Sequence, residues 1–226
     1  MICSALSQPK HAYNITQAFS QLSPAAYTDP LFEYHGYSFV PVIEGIDRVN
    51  TFKLRASIYD EEFGWASASN NIEQDEFDFY STHYAVKTPD GRVIATIRTI
   101  ESGFNWMGDS SFFDLFTNTT KQLKNSSVNE ASRLCIDRNY RNYQIVKNMS
   151  VLDFLLAGLL FYNNLRNIEN TYIITFSNMY TVLKRRGMAI RKVTDKVVMP
   201  DGCVLDGFVV NNQLSLETFK PLSLVR

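Results

Sequence analysis

Cysteine is scarce and unpaired in this chain. The 226 residues hold three, Cys3, Cys135 and Cys203, an odd number with no CxxC or Cys/His ligand spacing. That excludes a disulfide framework and a zinc site, and a reducing, cytoplasmic location is the expectation. A basic excess is missing too. With 22 Lys and Arg against 23 Asp and Glu, net charge -1, the chain has no general attraction for nucleic acid, so an electrostatic partner must meet a local patch. The opening MICSALSQPKHAYNITQ has neither a basic nor an apolar region of the secretory kind. Nor is there a long hydrophobic run: the longest, VLDFLLAGLLFY, contains Asp153 and is too short to cross a bilayer, so no membrane span is expected.

What is present is core-forming material. At 45% hydrophobic and 13% aromatic residues, the chain buries a sizeable core, and one domain over 36–226 with an N-terminal extension over 1–35 is the natural division. The extension mixes Ser, Gln, Pro and Ala without period and is read as weakly ordered or as a short helix around Ile15 to Leu22. YSFVPVI (37–43) reads as a strand. RVNTFKLRASIYDEEF (48–63) carries apolar residues at helical spacing, with Gly64 as its stop. HYAVKT and RVIATIRTIE flank the turn Pro89-Asp90-Gly91 and form an antiparallel hairpin.

VNEASRLCID (128–137) adds a strand. A strongly apolar helix runs from about Ile145 to Arg166, with Leu152, Leu155, Leu156, Leu159 and Leu160 along its core stripe and Asn163 and Asn164 at its wet end. TYIITF is a strand and NMYTVLKRRG a helix ending at Gly187. KVTDKVVM and CVLDGFVV make a second hairpin around Pro200-Asp201-Gly202. The order resembles a Gcn5-related N-acetyltransferase: an α/β fold, a mixed but mostly antiparallel central sheet flanked by helices in an αβα sandwich.

Charges in strands need answering. Arg98 lies inside RVIATIRTI, where a cation is costly unless a carboxylate meets it, and Asp75 or Asp78 of NIEQDEFDFY is the natural partner. The plain alternative for that acidic run, which also holds Glu73 and Glu76, is a solvated loop. A calcium loop lacks its Gly and terminal Glu, and no metal site is expected. Arg55 and Tyr59, four apart, share a helix face, and Trp65 follows the helix; taken alone, simple packing and capping of the helix end explain them better than a site does. Glu130 and Arg133 pose a problem of parity: three apart on a strand, they face opposite sides unless a bulge intervenes. His83, at a strand start, reads as structural, and Cys135 has no catalytic partner.

Taken together, R-x3-Y-x5-W, D-x2-D, a strand arginine and E-x-S-R resemble the acyl-homoserine-lactone synthases, the autoinducer synthases of bacterial quorum sensing. The resemblance spans about Phe52 to Phe208, and eight positions recur in order. Tyr59 stands where the family usually has Phe, the Trp65–Asp75 interval is one residue shorter than usual, and Ile173 replaces a Thr associated with 3-oxo acyl groups.

The resemblance implies transfer of an acyl group from acyl carrier protein to the amine of S-adenosylmethionine, then lactonisation with release of methylthioadenosine. S-adenosylmethionine is then a substrate, and no cofactor is expected. Glu130 is the implied base and Arg133 an orienting cation. Arg55, Tyr59, Trp65, Asp75, Asp78 and Arg98 are the implied substrate-binding set. Leu152, Leu155, Ile173, Phe176 and Met179 would line the acyl pocket.

Coenzyme A users of this fold carry a Gly-rich loop after the central strand, whereas DRNYRNYQIVKN has no glycine. That favours a carrier protein, with Arg138, Arg141, Lys147, Lys184, Arg185 and Arg186 as the patch for its acidic surface. A dipole-favoured cationic helix end explains LKRRG equally well. Acylation of another amine, such as an amino acid, and a catalytically silent ligand-binding homologue are the competing readings.

Overall fold

The computed structural model describes residues 30–109, 121–194, 196–198 and 202–221. The proposed helix at Ile15 to Leu22 and the Pro200-Asp201 turn therefore lie outside the described residues. The sheet begins at β1 (Phe32–Tyr34), inside the stretch read as an extension, and continues through β2 (Tyr37–Val42), β3 (Thr82–Lys87), β4 (Val93–Glu101) and β5 (Val128–Ile136). A small hairpin, β6 (Gln144–Val146) and β7 (Met149–Ser150), stands apart from it. Then come β8 (Asn170–Phe176), β9 (Ile190–Lys192), β10 (Val197–Val198) and β11 (Val204–Asn211). The spatial order is β1-β2-β3-β4-β5-β8-β11-β10, with β9 also pairing β11. Among the described strands, β5 and β8 run parallel and the other pairs are antiparallel.

Among the described residues, four α-helices flank the sheet: α1 (Ile46–Arg55), α2 (Val151–Leu165), α3 (Ser177–Arg185) and α4 (Asn212–Thr218). The first is shorter than its periodicity suggests, because after Arg55 the chain widens into a π-turn over Ala56–Asp60. The helix expected from Ile145 begins at Val151. Asn148 turns the chain at φ 67, closing the β6–β7 hairpin, and Ser150 and Asp153 form a reciprocal capping box that fixes the helix start.

α2 covers one face of the sheet, packing Phe154, Leu155 and Leu159 on Phe39, Tyr84, Ile94 and Ile97. Gly158 is obligatory in this contact, since a Cβ there would lie 2.2 Å from the Phe39 ring. α1 lies on the opposite face, where Leu54 and Ile58 pack with Val42, Ala85, Val93 and Cys135. The helix end read as wet is so at Asn164, which is exposed, but not at Asn163. Asn163 is fully buried, donating to Thr171 Oγ1 at 2.9 Å and accepting from Asn129 at 3.1 Å, so amide pairing rather than water satisfies it.

Two irregularities of β5 shape the centre. Thr96 pairs with Cys135 but Arg98 pairs with Ser132, so β5 spends one more residue than β4 over that interval. This is a bulge, and Arg133 carries it at φ 54, a left-handed conformation rare for a side chain of this size. On its other edge β5 pairs with β8 only from Val128 to Ala131. Beyond Ala131 and Ile173 the two strands part.

Candidate active site

The bulge resolves the parity of Glu130 and Arg133 by turning both toward one group of residues. The Met107 amide donates to Glu130 Oε1 at 2.9 Å, and the same residue's sulfur lies 3.9 Å from Arg133 Nη1 and 3.0 Å from Arg98 Nη2. Both charges therefore sit on the α1 side of the sheet. Cross-strand pairing places His83, Arg98 and Ser132 abreast in the same region.

Three guanidiniums and three carboxylates interlock there. Arg55, from the last turn of α1, chelates Asp78 with bonds of 2.7 and 2.9 Å and donates through Nε to Glu73. Arg98 reaches Asp78 Oδ1 at 2.6 Å, Ser132 Oγ at 3.0 Å and Asp75. Arg133 donates to Glu73 at 3.1 Å and Asp75 at 2.7 Å, with its guanidinium 5.2 Å from the Tyr59 ring centre. Tyr59 in turn donates its hydroxyl to the Leu134 carbonyl at 2.8 Å, tying the π-turn to the bulge.

The D-x2-D spacing has a local cause. Asp75 and Asp78 form the capping box of a short 3-10 turn, Glu76–Phe79. Their backbones are thereby fixed while their remaining lone pairs face the arginines. Asp75 fills the network position, the solvated-loop reading survives only for exposed members such as Glu76, and Glu73 is the partner that sequence reasoning missed. The available signal was arithmetic: three arginines needed a third carboxylate besides Asp75 and Asp78, and Glu130 is engaged elsewhere. Met107 and Gly108 were also missed, because nothing in their spacing marks them, and Ser132, though part of the E-x-S-R pattern, was given no role.

Burial alone would push Asp78 up, but the Arg55 hydrogen bonds and the charges of Arg98 and Arg55 outweigh it and hold the carboxyl well below its usual range. His83, almost wholly buried, has Nε2 3.5 Å from Asp78 Oδ1; burial lowers its pKa to about 4, leaving it neutral. Glu130 is the exception. It is 1% exposed, takes hydrogen bonds from the Met107 and Gly108 amides at 2.9 and 3.0 Å and belongs to no ion pair in the network. Burial raises its pKa to about 7, against the opposing pull of the two amides and of Arg98. A carboxylate poised near neutrality is suited to proton transfer.

Beside the network, a cavity of about 720 Å³ opens where β5 and β8 part, lined among others by Tyr59, Phe63, Trp65, Arg133, Leu134 and Ile173. Trp65 stacks on Phe63 at 4.4 Å and meets Phe176 at 5.2 Å. Of the acyl-pocket candidates, Leu152, Ile173, Phe176 and Met179 line it. Leu155 does not. The helix turns Leu152, Leu156, Leu159 and Leu160 into one stripe toward the cavity, while Leu155 falls beside Val151 in the core under Phe39 and Tyr84. Cys135 also lines the cavity, but burial pushes its thiol up to about 12, so it is no nucleophile at neutral pH.

The six basic residues read as one patch are differently engaged. Arg138 and Arg141 close on Glu62, Arg138 Nε at 3.1 Å and Arg141 at 2.7 and 2.5 Å. Arg186 is tied to Asp153 at 2.6 Å. Lys147, Lys184 and Arg185 are exposed.

Residues 44–217 match the autoinducer synthase family. The chain belongs to that family. It is 26% identical over 143 residues to an acyl-homoserine-lactone synthase of Pectobacterium carotovorum subsp. carotovorum, a match covering 63% of this chain and 65% of that protein; the aligned region thus spans just under two thirds of that relative. Its fold is similar to the solved AHL synthase LasI, at TM-score 0.64 and 16% identity over 81% of this chain and 93% of the other. It is also similar to MesI, described as a CoA-dependent acyl-homoserine lactone synthase, at TM-score 0.61 and 18% identity over 74% and 84%. The autoinducer synthase fold accordingly agrees with the αβα arrangement read from the sequence. Among the described residues, no helix is long and apolar enough to cross a membrane.

Proposed function

We propose that this autoinducer synthase joins an acyl group from acyl carrier protein to the amine of S-adenosylmethionine and closes the homoserine lactone, releasing methylthioadenosine. The observation that carries the reading is Glu130, a buried carboxyl with a pKa near 7 on the strand where the sheet opens beside an apolar cavity. The substrate's ammonium must lose a proton before its nitrogen attacks the thioester carbonyl, and an acceptor poised near the working pH serves that step best. The two turn amides take two of the carboxylate's roughly four acceptor lobes, leaving capacity for the amine.

The nitrogen attacks, the carbonyl oxygen becomes an oxyanion, and the thiolate leaves with the proton. Backbone amides at the separated edges of β5 and β8 supply oxyanion donors in an apolar surround. In the second step the substrate's own carboxylate oxygen displaces the thioether at the γ-carbon, and sulfur keeps the bonding pair. Being intramolecular, this closure needs orientation more than a further catalyst.

The network narrows which residues meet the substrate. Arg55, Arg98 and Asp78 are 0% exposed at the side chain, whereas Asp75 and Arg133 keep 19% and 18%. Asp75 faces the sulfonium, Arg133 the substrate carboxylate or the donor arm, and the buried members hold these two in place. Leu152, Ile173 and Met179 receive the acyl tail. Absence of glycine from DRNYRNYQIVKN supports a carrier-protein donor, while MesI, a CoA-dependent synthase, has the same fold.

The test is to incubate the purified protein with S-adenosylmethionine and either acyl carrier protein or coenzyme A thioesters, following methylthioadenosine. Carrier-protein thioesters should release it faster. Release only with coenzyme A thioesters would reject the donor, and acylation of another amine without methylthioadenosine would reject the lactone reading.

A further inference from the structure

Arg138 and Arg141 lie in the connection that follows β5, and both guanidiniums converge on a single carboxylate, Glu62. Arg141 binds it through two nitrogens at 2.7 and 2.5 Å, and Arg138 Nε through one at 3.1 Å while its Nη2 donates to the Ser57 carbonyl at 2.8 Å. The two arginines are 51% and 39% exposed and Glu62 24%. Arg141 also borders the cavity, together with Asn142 and Gln144. This is a three-point anion seat at the cavity's rim, filled by the protein's own carboxylate.

An exposed ion pair of this kind is weak, because water competes for every partner and both side chains lose freedom in forming it. A phosphate offers more acceptor oxygens and greater charge to the same two forks as a monoester or in a pyrophosphate, and an equal pair of oxygens and equal charge as a diester. From the point where β5 and β8 part, at Ala131, to the end of β5 at Ile136 the bulged strand matches four residue steps of β4, Thr99 to Ala95, about 13 Å, and the connection carrying Arg138 and Arg141 continues beyond it, a reach suited to a pantetheine arm. An acyl thioester at the parting strands thus puts its phosphate near the rim.

We propose that Arg138 and Arg141 form the seat for the phosphate of a phosphopantetheine-bearing acyl donor, and that Glu62 occupies it as an exchangeable anion until the donor arrives. The inference rests on the acyltransferase reading above but not on the identity of the amine. The shared chemistry is the phosphopantetheine arm, whether carried by coenzyme A or by a carrier protein.

The test measures binding without S-adenosylmethionine, by calorimetry with phosphopantetheine and with pantetheine. Wild type should bind the phosphorylated arm about tenfold tighter. Arg138→Ala/Arg141→Ala should erase that difference, and Glu62→Gln should widen it several-fold. Equal binding of the two arms by wild type overturns the proposal, as does weaker phosphopantetheine binding by Glu62→Gln. Coenzyme A and holo carrier protein should both be weakened by the double substitution, apo carrier protein far less. If apo and holo carrier are weakened equally, the arginines serve the carrier's acidic surface and the phosphate seat is refuted. Circular dichroism melts establish that each variant is folded. Failure here leaves lactone synthesis standing, and absence of methylthioadenosine release leaves the phosphate seat standing.

Discussion

Two clusters of arginine and carboxylate in this molecule use the same chemistry to opposite ends. In the first, Arg55, Arg98 and Arg133 face Glu73, Asp75 and Asp78 under the sheet's α1 side, and Arg55 and Asp78 are closed off from solvent entirely. In the second, Arg138 and Arg141 face Glu62 at the rim, where each side chain keeps a quarter to a half of its exposure. Burial makes the first cluster rigid, since no member can leave without stranding a partner in a medium that solvates charge poorly. Exposure makes the second replaceable. A charge cluster's role is decided less by its residues than by what its members would meet if they let go.

Breaking the buried cluster should give the largest effect. Arg98→Ala leaves Asp78 and Asp75 facing one another with one fewer cation, and the expected loss is about 3–5 kcal/mol of unfolding free energy by urea titration. The second substitution Asp78→Asn should recover part of it, because it removes the stranded charge. A loss under about 1 kcal/mol for Arg98→Ala would place this cluster with the exposed one and erase the contrast.

Much of this cluster was legible beforehand, for a definite reason. Strand positions of Arg98 and Arg133 demand carboxylates, and D-x2-D is a spacing that caps a turn while leaving both acids free to answer them. Most of the strands and Gly187 as a helix stop, at φ 88, were equally readable, since alternation and turn residues act locally; β1 and the β6–β7 hairpin were not, and KVTDKVVM, read as one strand, is divided between the end of β9 at Lys192 and β10 at Val197–Val198. What escaped depends on distant packing. Leu155 differs from Leu156 by one helical step and faces the core instead of the cavity. Asn163 looks solvent-directed until Thr171 and Asn129, from two strands, close around it. The bulge at Arg133 has no glycine to announce it; its left-handed backbone is held by Glu73 and Asp75, which lie about 60 residues earlier.

Glu130 sharpens the comparison, because it is as buried as Asp78 but has amides in place of arginines. Glu130→Gln should lower methylthioadenosine release about 10²–10⁴-fold at pH 7.5 with the fold retained, and wild-type turnover should rise with pH through about 7. Unchanged turnover would reduce Glu130 to a clamp for the Met107–Asp109 turn.

Stability against pH offers a subtler probe. Glu130 holds its proton more tightly when folded, about 7 against 4.5, so it adds stability as pH falls from 7 to 4.5, on the order of 3 kcal/mol. His83 does the reverse. Its folded pKa of about 4 lies below the ordinary 6.5, so stability present above pH 6.5 is lost as pH falls toward 4. The two oppose one another, and wild type should show a nearly flat profile between about pH 4.5 and 6.5. Glu130→Gln should unmask the histidine and become acid-labile in that window, read from melts at half-unit intervals. Asp78 adds its own loss only at lower pH, since its carboxyl stays ionised well below the usual range.

The smallest effect belongs to the rim. Glu62→Gln removes the carboxylate that Arg138 and Arg141 share, yet its melting temperature should match wild type within error, because water replaces what the pair loses. Raising salt to about 0.5 M, where screening acts over only a few ångströms, should likewise leave both proteins' melts alike. The same salt should weaken phosphopantetheine binding in both, and more steeply in Glu62→Gln, whose two guanidiniums no longer have an internal counter-charge. A substitution silent in stability but visible in anion affinity is the signature of an exchangeable pair. A fall in melting temperature comparable to that of Arg98→Ala would instead make Glu62 a structural tie between the π-turn and the loop after β5.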